Sequence, residues 1–385
     1  MGKTTVFLVE MPLFHNPDFT ISSDYGKFVF LALVKIGYQS ETLVYSVLTA
    51  PCAPASPNAR RLPVRTAIDV LPIAFRLGQL DALARTLLAS PALYSPEMRA
   101  SFHLRCLARA WEQYRQDRAI NLGAQLIGAE CAAERNAFLT LLEHALPDRT
   151  HPLAHAIAAV RLLAIRPLAS EAAAAAEIVA TSAGTLDAVL AALTDPALPS
   201  APLERLLALI DRFRTSTAID DDPLSATALT PCWAVNLAAA ANGQAFHLSA
   251  IPLPCPGIVQ RRLFRADRSL EDRRSDAAEI LREALHDTAC DIARLPRAAE
   301  LFAREFPDQR SNSRLLPSWL LLFALGALTP AQLARALPAT KAGAAKLLRQ
   351  LEANHMANCP APFAPFSTTV TLPVAFPELW EAEPR

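Results

Sequence analysis

Three basic residues near the C-terminus, Lys341, Lys346 and Arg349, are spaced so that one side of a helix could present them to a polyanion. Lysine and arginine bind phosphates and guanine edges, and small side chains let a helix approach the base edges of a DNA groove. Alanines lie between these cations, so the pattern is typical of a DNA-contacting helix. The candidate DNA-binding residues are Thr340, Lys341, Ala342, Ala345, Lys346 and Arg349.

A helix from Thr340 is the element that would position these side chains. Threonine is a favourable N-cap, because its hydroxyl accepts a hydrogen bond from the first turn. With roughly 100° between successive residues, the apolar side chains fall on the face opposite the cations. This predicted buried face consists of Ala344, Leu347, Leu348 and Leu351.

A second short helix is predicted just before it. Thr329 is a suitable N-cap, Pro330 fits the first helical position, and Gln332 stands where a capping box expects Glu or Gln. Pro338 cannot continue a helix, so the chain must turn before Thr340. The segment therefore predicts a helix-turn-helix.

The charge of this region differs from that of the whole chain. From Arg310 to Met356 there are six basic residues and one acidic residue, Glu352, whereas the chain has a formal net charge of zero. A protein that coats nucleic acid is usually basic overall, so any DNA contact here must be local.

The stretch from Leu328 to Glu352 resembles the helix-turn-helix of bacterial winged-helix regulators, including the MarR and ArsR types. Thr340 matches the Ser or Thr that opens their recognition helix, and Leu348, Leu351 and Glu352 match its usual ending. The resemblance covers about a tenth of the chain. It implies that the candidate residues named above face DNA.

The segment also departs from that family. His355 and Pro338 stand where these proteins commonly turn with glycine. Residues 366–372 alternate like one strand of a wing, but Pro360, Pro362 and Pro365 are expected to disrupt its partner strand. The only basic residue after Met356 is Arg385. A helical hairpin that only packs, or a winged helix that contacts protein, is therefore the alternative.

The composition predicts a mainly α-helical protein. The 385 residues are 52% hydrophobic and 19% charged, with 11 Gly and 31 Pro, which is typical of many helices joined by proline-containing turns. We expect a multi-helical bundle or an irregular helical array that ends in a helix-turn-helix, with or without a wing. No fixed repeat period is visible.

Composition also divides the chain into four parts. Residues 1–50 form a leader richer in Phe, Tyr, Val and Thr, with strand-like runs at 4–9 and 28–34. Residues 51–63 read as a linker, residues 64–309 as a helical domain, and residues 310–385 as the helix-turn-helix domain with a Pro-rich tail.

Other chemical patterns are incomplete. Gly2-Lys3-Thr4-Thr5 lacks the loop that a P-loop needs before it, and Asp220 to Asp222 lack the remaining ligands of a calcium loop. His151 and His155, with His144 nearby, are too few for a zinc site and are predicted to be surface or capping residues. We expect no catalytic site, cofactor or metal, although an enzyme with a pocket in the middle domain is a further alternative.

Seven cysteines without a C-x-x-C pair suggest reduced thiols, and the apolar run from Leu315 to Leu328 is too short to span a bilayer. The sequence thus predicts a cytoplasmic protein without a membrane segment.

The expected function is DNA binding, as a transcriptional regulator or a mobile-element accessory protein. The helical middle would sense a ligand, form a homodimer or bind a protein partner. The alternative is a helical scaffold that binds protein rather than DNA.

Overall fold

The computed structural model describes residues 30–31, 46–47, 64–88, 90, 93–121, 123–214, 230–265, 267–310, 313–361 and 364–369. The chain divides into two compact units, Met1–Arg61 and Leu62–Arg385. In the first unit, β1 (Phe30–Leu31) pairs antiparallel with β2 (Ser46–Val47), and β1 lies within the strand-like run predicted at 28–34. The run at 4–9, the glycine-lysine motif, the linker and the acidic loop at 220–222 lie outside the described residues.

The second unit is mainly helical, as predicted. Its first eight described α-helices are α1 (Val64–Leu83, continued by a π-helical turn at Ala84–Leu88), α2 (Pro96–Asp117), α3 (Ala132–Ala145), α4 (Pro152–Leu163), α5 (Ala169–Leu193), α6 (Pro202–Phe213), α7 (Cys232–Ala241) and α8 (Leu270–Glu305). The C-terminal segment contains α9 (Leu315–Leu325), β3 (Ala327–Leu328), α10 (Pro330–Ala336), α11 (Lys341–Ala353), β4 (Ala357–Asn358) and β5 (Phe366–Thr368). Short 3-10 turns occupy Gly243–Phe246 and Arg261–Phe264.

Proline is the first residue of several helices. In the described part of the chain, α2, α4, α6 and α10 each have proline as their first residue, a position whose N–H has no hydrogen-bond partner within the helix. Pro72 and Pro296 lie inside α1 and α8, so these two prolines do not end a helix.

Two helix boundaries differ from those that the apolar periodicity of the sequence predicts. The periodicity predicts a helix from Gly123 to Ala145, but α3 begins only at Ala132, because residues 123–131 form turns that end in a left-handed Cys131 with φ 53°. It also predicts separate helices at 170–180 and 185–193, which are one continuous α5. Gly184 inside α5 costs about 1 kcal/mol relative to alanine, and the packing of α5 along α3 offsets this.

Helix α2 is the centre of the fold and packs against α4, α7, α8 and α9. Trp111 and Tyr114 on α2 are each 2% exposed and form an aromatic cluster with Phe138 and Trp233. Ring centroids in this cluster are 5.3–6.0 Å apart, within the range of favourable aromatic pairs. Trp111 and Tyr114 are thus core residues.

A buried carboxylate joins α2 to α8. Asp291 on α8 is 1% exposed and accepts hydrogen bonds from Arg105 Nε and from Arg109 Nη1, the latter at 3.0 Å. Arg294 Nη1 lies 3.5 Å from the same carboxylate. Arg105 also donates to the carbonyl of Phe323 on α9 at 3.4 Å, so this one carboxylate organises three helices.

Helix α5 is, in the part of the chain that the structure describes, the one helix that by length and composition could cross a membrane. Ala175, Ser182, Leu186, Val189 and Leu193 form its buried stripe. The helix packs against α3 and α7 along this stripe, so part of its apolar surface belongs to the helical core.

We predict that Asp291→Ala lowers the free energy of unfolding by about 3–5 kcal/mol, because it leaves two partly buried arginines without their shared carboxylate. Asp287→Ala is the matched control, one turn earlier on α8. The side chain of Asp287 is 60% exposed and pairs with Arg109 alone, so its removal should cost about 0–1 kcal/mol. Urea unfolding followed by circular dichroism measures both. Equal losses in the two variants would contradict the structural role of Asp291.

Candidate nucleic-acid interface

Helix α10 begins with the capping box that the sequence predicted. Thr329 Oγ1 accepts from Gln332 N at 3.3 Å, and Gln332 Oε1 accepts from Thr329 N at 2.8 Å. Two backbone N–H groups that would otherwise lack a partner are satisfied in this way. Leu333 is fully buried, as predicted, so α10 has a defined inner face.

A short turn at 337–340 separates α10 from α11. Ala339 N donates to Ala334 O at 3.0 Å, and Arg314 Nη1 donates to Pro338 O at 2.9 Å. Thr340 then caps α11, because its Oγ1 accepts from Gly343 N at 3.0 Å. The predicted cap is confirmed, and the turn is held by a side chain from the start of α9 that the sequence did not indicate.

The two faces of α11 lie as the periodicity predicted. Ala344, Leu348 and Leu351 are 0% exposed, and Leu347 packs against the same core at intermediate exposure. These residues face α9, α10 and β4. On the opposite face Ala345 is half-buried and the other candidate residues are exposed, namely Thr340, Lys341, Ala342, Lys346 and Arg349.

The three cations on this face are not neutralised. None of Lys341, Lys346 and Arg349 forms an ion pair within the part of the chain that the structure describes. The acidic residue of the segment, Glu352, instead accepts from Cys359 N at 3.1 Å. The exposed face therefore carries uncompensated positive charge around small side chains.

A three-stranded antiparallel sheet, with strand order β3-β5-β4, is formed by β3, which precedes α10, and by β4 and β5, which follow α11. Asn358 pairs with Ser367, and Leu328 pairs with Phe366. The expectation that prolines would disrupt the partner of β5 was wrong, because β4 ends at Asn358, before the first of them. Beyond Thr369 the predicted strand lies outside the described residues.

The chain enters β4 through a left-handed residue. His355 has φ 58°, a conformation that glycine adopts without strain, so this histidine does occupy a glycine-like turn. Its carbonyl accepts from Thr369 Oγ1 at the base of the sheet. The loop from β4 to β5 contains no basic residue, so it offers no charged contact to a phosphate.

Helix α10 is attached to the helical body by side chains that reach distant carbonyls. Gln332 Nε2 donates to Ile127 O at 2.9 Å, and Arg335 Nη2 donates to Leu163 O at the end of α4. Gln332 therefore caps its own helix and docks it at the same time. The capping motif identifies Gln332 in the sequence, but no local pattern indicates its hydrogen bond to Ile127 O.

We predict that Gln332→Ala destabilises α10 by about 1–3 kcal/mol, because it removes the reciprocal cap and a buried hydrogen bond. Gln350→Ala on α11 is the control. Gln350 is half-buried, and its side chain makes no hydrogen bond within the described residues, so its loss should stay within about 0.5 kcal/mol. Native-state hydrogen exchange of the α10 amides distinguishes the two variants. Unchanged exchange in Gln332→Ala would contradict the docking role.

The histidines that the sequence offers as possible metal ligands have structural or surface roles. His151 is 5% exposed and caps α4, with its Nδ1 accepting from Leu153 N at 3.2 Å, while His144 pairs with Asp187 at 2.7 Å. Both fit the predicted capping and surface roles, and His155 is exposed. No group of three or more potential metal ligands occurs among the described residues.

A fourth histidine, His103 on α2, is largely buried in the fold, and no pattern in the sequence indicates this. Its pKa is lowered from 6.5 to about 4, mainly by burial; the charges of His151, His155 and Arg99 act in the same direction, and a hydrogen bond to the Arg99 backbone opposes them. His103 is therefore neutral in the folded protein at neutral pH. Between pH 6.5 and about 4 the unfolded chain binds more protons at this residue, so acidification destabilises the fold.

We predict that His103→Gln reduces the loss of stability between pH 7 and pH 4.5. The lowered pKa of His103 corresponds to a loss of at most about 3 kcal/mol in the free energy of unfolding as the pH falls. The variant lacks this group and therefore does not undergo this loss. Urea unfolding of the wild type and the variant at several pH values measures the difference between their free energies of unfolding. The carboxylates titrate in both proteins, so their contribution cancels in this difference. Parallel stability curves over this range would show that His103 is not a source of acid sensitivity.

The buried cysteines are poor candidates for a nucleophile. Burial is the main cause that raises the pKa of Cys106, Cys232 and Cys290, and it raises that of Cys255 to about 11. Such groups are neutral thiols at neutral pH, and the thiol is a poor nucleophile. His286 Nε2 lies 3.5 Å from Cys290 Sγ, but this pair has a raised thiol pKa and a lowered histidine pKa, which is opposite to an activated thiolate-imidazolium pair.

Comparison of the chain with protein-family models gives no match, and comparison with curated proteins gives none either. The geometry of the C-terminal segment must therefore carry the functional argument. That segment combines a docked helix, a turn, a second helix with an unpaired basic face and a small antiparallel sheet.

Proposed function

We propose that the protein binds double-stranded DNA through a winged helix-turn-helix at residues 315–369, with α11 as the recognition helix. In this proposal it acts as a transcriptional regulator or a mobile-element accessory protein. The observation that carries the proposal is the exposed face of α11. Its three cations have no ion-pair partner among the described residues, and they surround small side chains.

The residues divide into two kinds of contact. Ala342 and Ala345 allow the helix to approach base edges, and alanine can contact the methyl group of thymine. Lys341, Lys346 and Arg349 reach phosphates or guanine edges beside them. The candidate residues from Lys341 to Arg349 extend about 12 Å along the helix axis, and a helix about 10–12 Å across with its side chains fits a major groove about 12 Å wide.

The order of elements supports the winged form of the motif. Three helices alternate with a sheet in which the last strand, β5, lies between β3 and β4. This order follows the resemblance to bacterial winged-helix regulators. The loop between β4 and β5 would serve as the wing, and because it lacks basic residues the recognition helix would provide most of the charged contacts.

A helical scaffold with a winged-helix-like end that binds protein is the second candidate. The uncharged loop between β4 and β5 favours it, together with the zero net charge of the chain. In that case the basic face of α11 would contact an acidic protein surface rather than phosphates.

Fluorescence anisotropy of the full chain on labelled duplexes tests the proposal. We use a random duplex and the DNA upstream of its own gene, across a salt series. We predict that Lys346→Glu and Arg349→Glu together abolish binding at moderate salt, and that each single change reduces the salt slope by about 1. Circular dichroism should remain that of the wild type, because both side chains are exposed.

Arg149→Glu is the matched control, because Arg149 is exposed in the turn before α4 and the charge change is the same. It should bind as the wild type does. Tighter binding to one duplex would indicate a sequence-reading regulator. No binding by the folded protein at low salt, or binding that survives the paired reversal on α11, would overturn the assignment of this face and favour the scaffold.

A further inference from the structure

A polar cleft of about 190 Å³ lies between α2, α8 and the irregular segment before the 3-10 turn at Arg261–Phe264. Its volume is below the roughly 300–1,000 Å³ of sites for drug-sized molecules, so it suits a small metabolite. The cleft lies in the helical body, apart from the exposed face of α11. It gives the helical middle of the chain a specific place for a ligand.

Two carboxylates in this cleft lack partners. Glu112 on α2 and Glu283 on α8 both line it, both are exposed, and neither forms an ion pair within the described residues. Arg109 on the same wall does not neutralise these two carboxylates, because it pairs with Asp287 at 3.1 Å and with Asp291 at 3.0 Å. The cleft therefore presents uncompensated negative charge from two different walls.

Amide side chains complete the lining. Gln113, Gln116 and Gln260 face the cleft and can donate to or accept from a polar ligand. Gly257 on the third wall has φ 87°, and a Cβ there would lie 3.6 Å from Gln113 Oε1. Glycine at this position supplies a backbone conformation that other residues adopt only with strain.

We propose that this cleft binds a small molecule with two amino groups. Each ammonium group would pair with one carboxylate, Glu112 or Glu283, in charge-assisted hydrogen bonds, and the glutamine amides would orient the chain between them. A ligand with carboxylates would instead meet two like charges. The proposal concerns the helical body alone and does not depend on DNA binding by α11.

The wall of the cleft is also connected to the C-terminal segment. Arg109 shares the carboxylate of Asp291 with Arg105, and Arg105 donates to Phe323 O on α9 at 3.4 Å. The cation of Arg105 lies 5.5 Å from the centre of the Phe323 ring. The cleft wall at Arg109 is therefore connected to α9 through a network of side chains.

Isothermal titration of the full chain with 1,4-diaminobutane tests the site, with butylamine and succinate as comparison probes. We expect saturable binding of the diamine, weaker binding of butylamine and none of succinate. Glu112→Gln and Glu283→Gln should each weaken diamine binding about tenfold or more, because each removes one charge-assisted pair.

Glu300→Gln is the control, because it makes the same charge change on α8 at an exposed residue that does not line the cleft. It should bind the diamine as the wild type does. Absence of saturable diamine binding, equal binding of succinate, or unchanged affinity in both cleft variants would overturn the proposal. The titration contains no DNA, so its failure and a failure of the DNA-binding proposal are separate results.

Discussion

The charge cluster around Asp291 is the interaction on which the arrangement of the central helices depends. A carboxylate at 1% exposure is costly to desolvate, and it is tolerated here because Arg105 and Arg109 converge on it from α2. The guanidinium groups are in turn oriented by Asp287 and by a carbonyl of α9. Because ion pairs have directional geometry where apolar contacts do not, this cluster fixes the rotation of α2 against α8. It also links α2 to α9 through the hydrogen bond from Arg105 to Phe323 O.

The C-terminal segment is attached by a different kind of contact. Its side-chain donors form hydrogen bonds with carbonyls at the ends of distant elements. Gln332 reaches Ile127, Arg335 reaches Leu163, and Arg314 reaches the turn at Pro338. Backbone carbonyls that end a helix or lie in a loop lack intrahelical donors, so such bonds satisfy them and position α10 together. Helix α11 packs mainly on α10, α9 and β4, and its outer face is left without internal partners. The rigid attachment of α10 and the exposure of α11 are therefore two consequences of one arrangement.

Local rules explain which parts of this structure the sequence could predict. The caps at Thr329 and Thr340 and the two faces of α11 follow from spacing within a few residues, and all were correct. The late start of α3 and the continuity of α5 were missed because packing overrides local propensity there. The partner of β5 was misjudged because two residues before Pro360 are enough to form β4. Asp291, His103 and the second contact of Gln332 depend on residues far apart in the chain, for which a single sequence gives no signal.

The small number of cations on α11 limits what one copy of this chain could achieve on DNA. Each phosphate contact releases about one counterion, so three cations give a modest and salt-sensitive affinity compared with proteins that make six to ten such contacts. The loop after β4 adds no charge, and the chain as a whole is neutral. Under the DNA-binding proposal, specific binding therefore requires a second recognition helix. Two copies joined so that their helices lie about 34 Å apart would make the second contact intramolecular, which raises avidity without any new type of interaction.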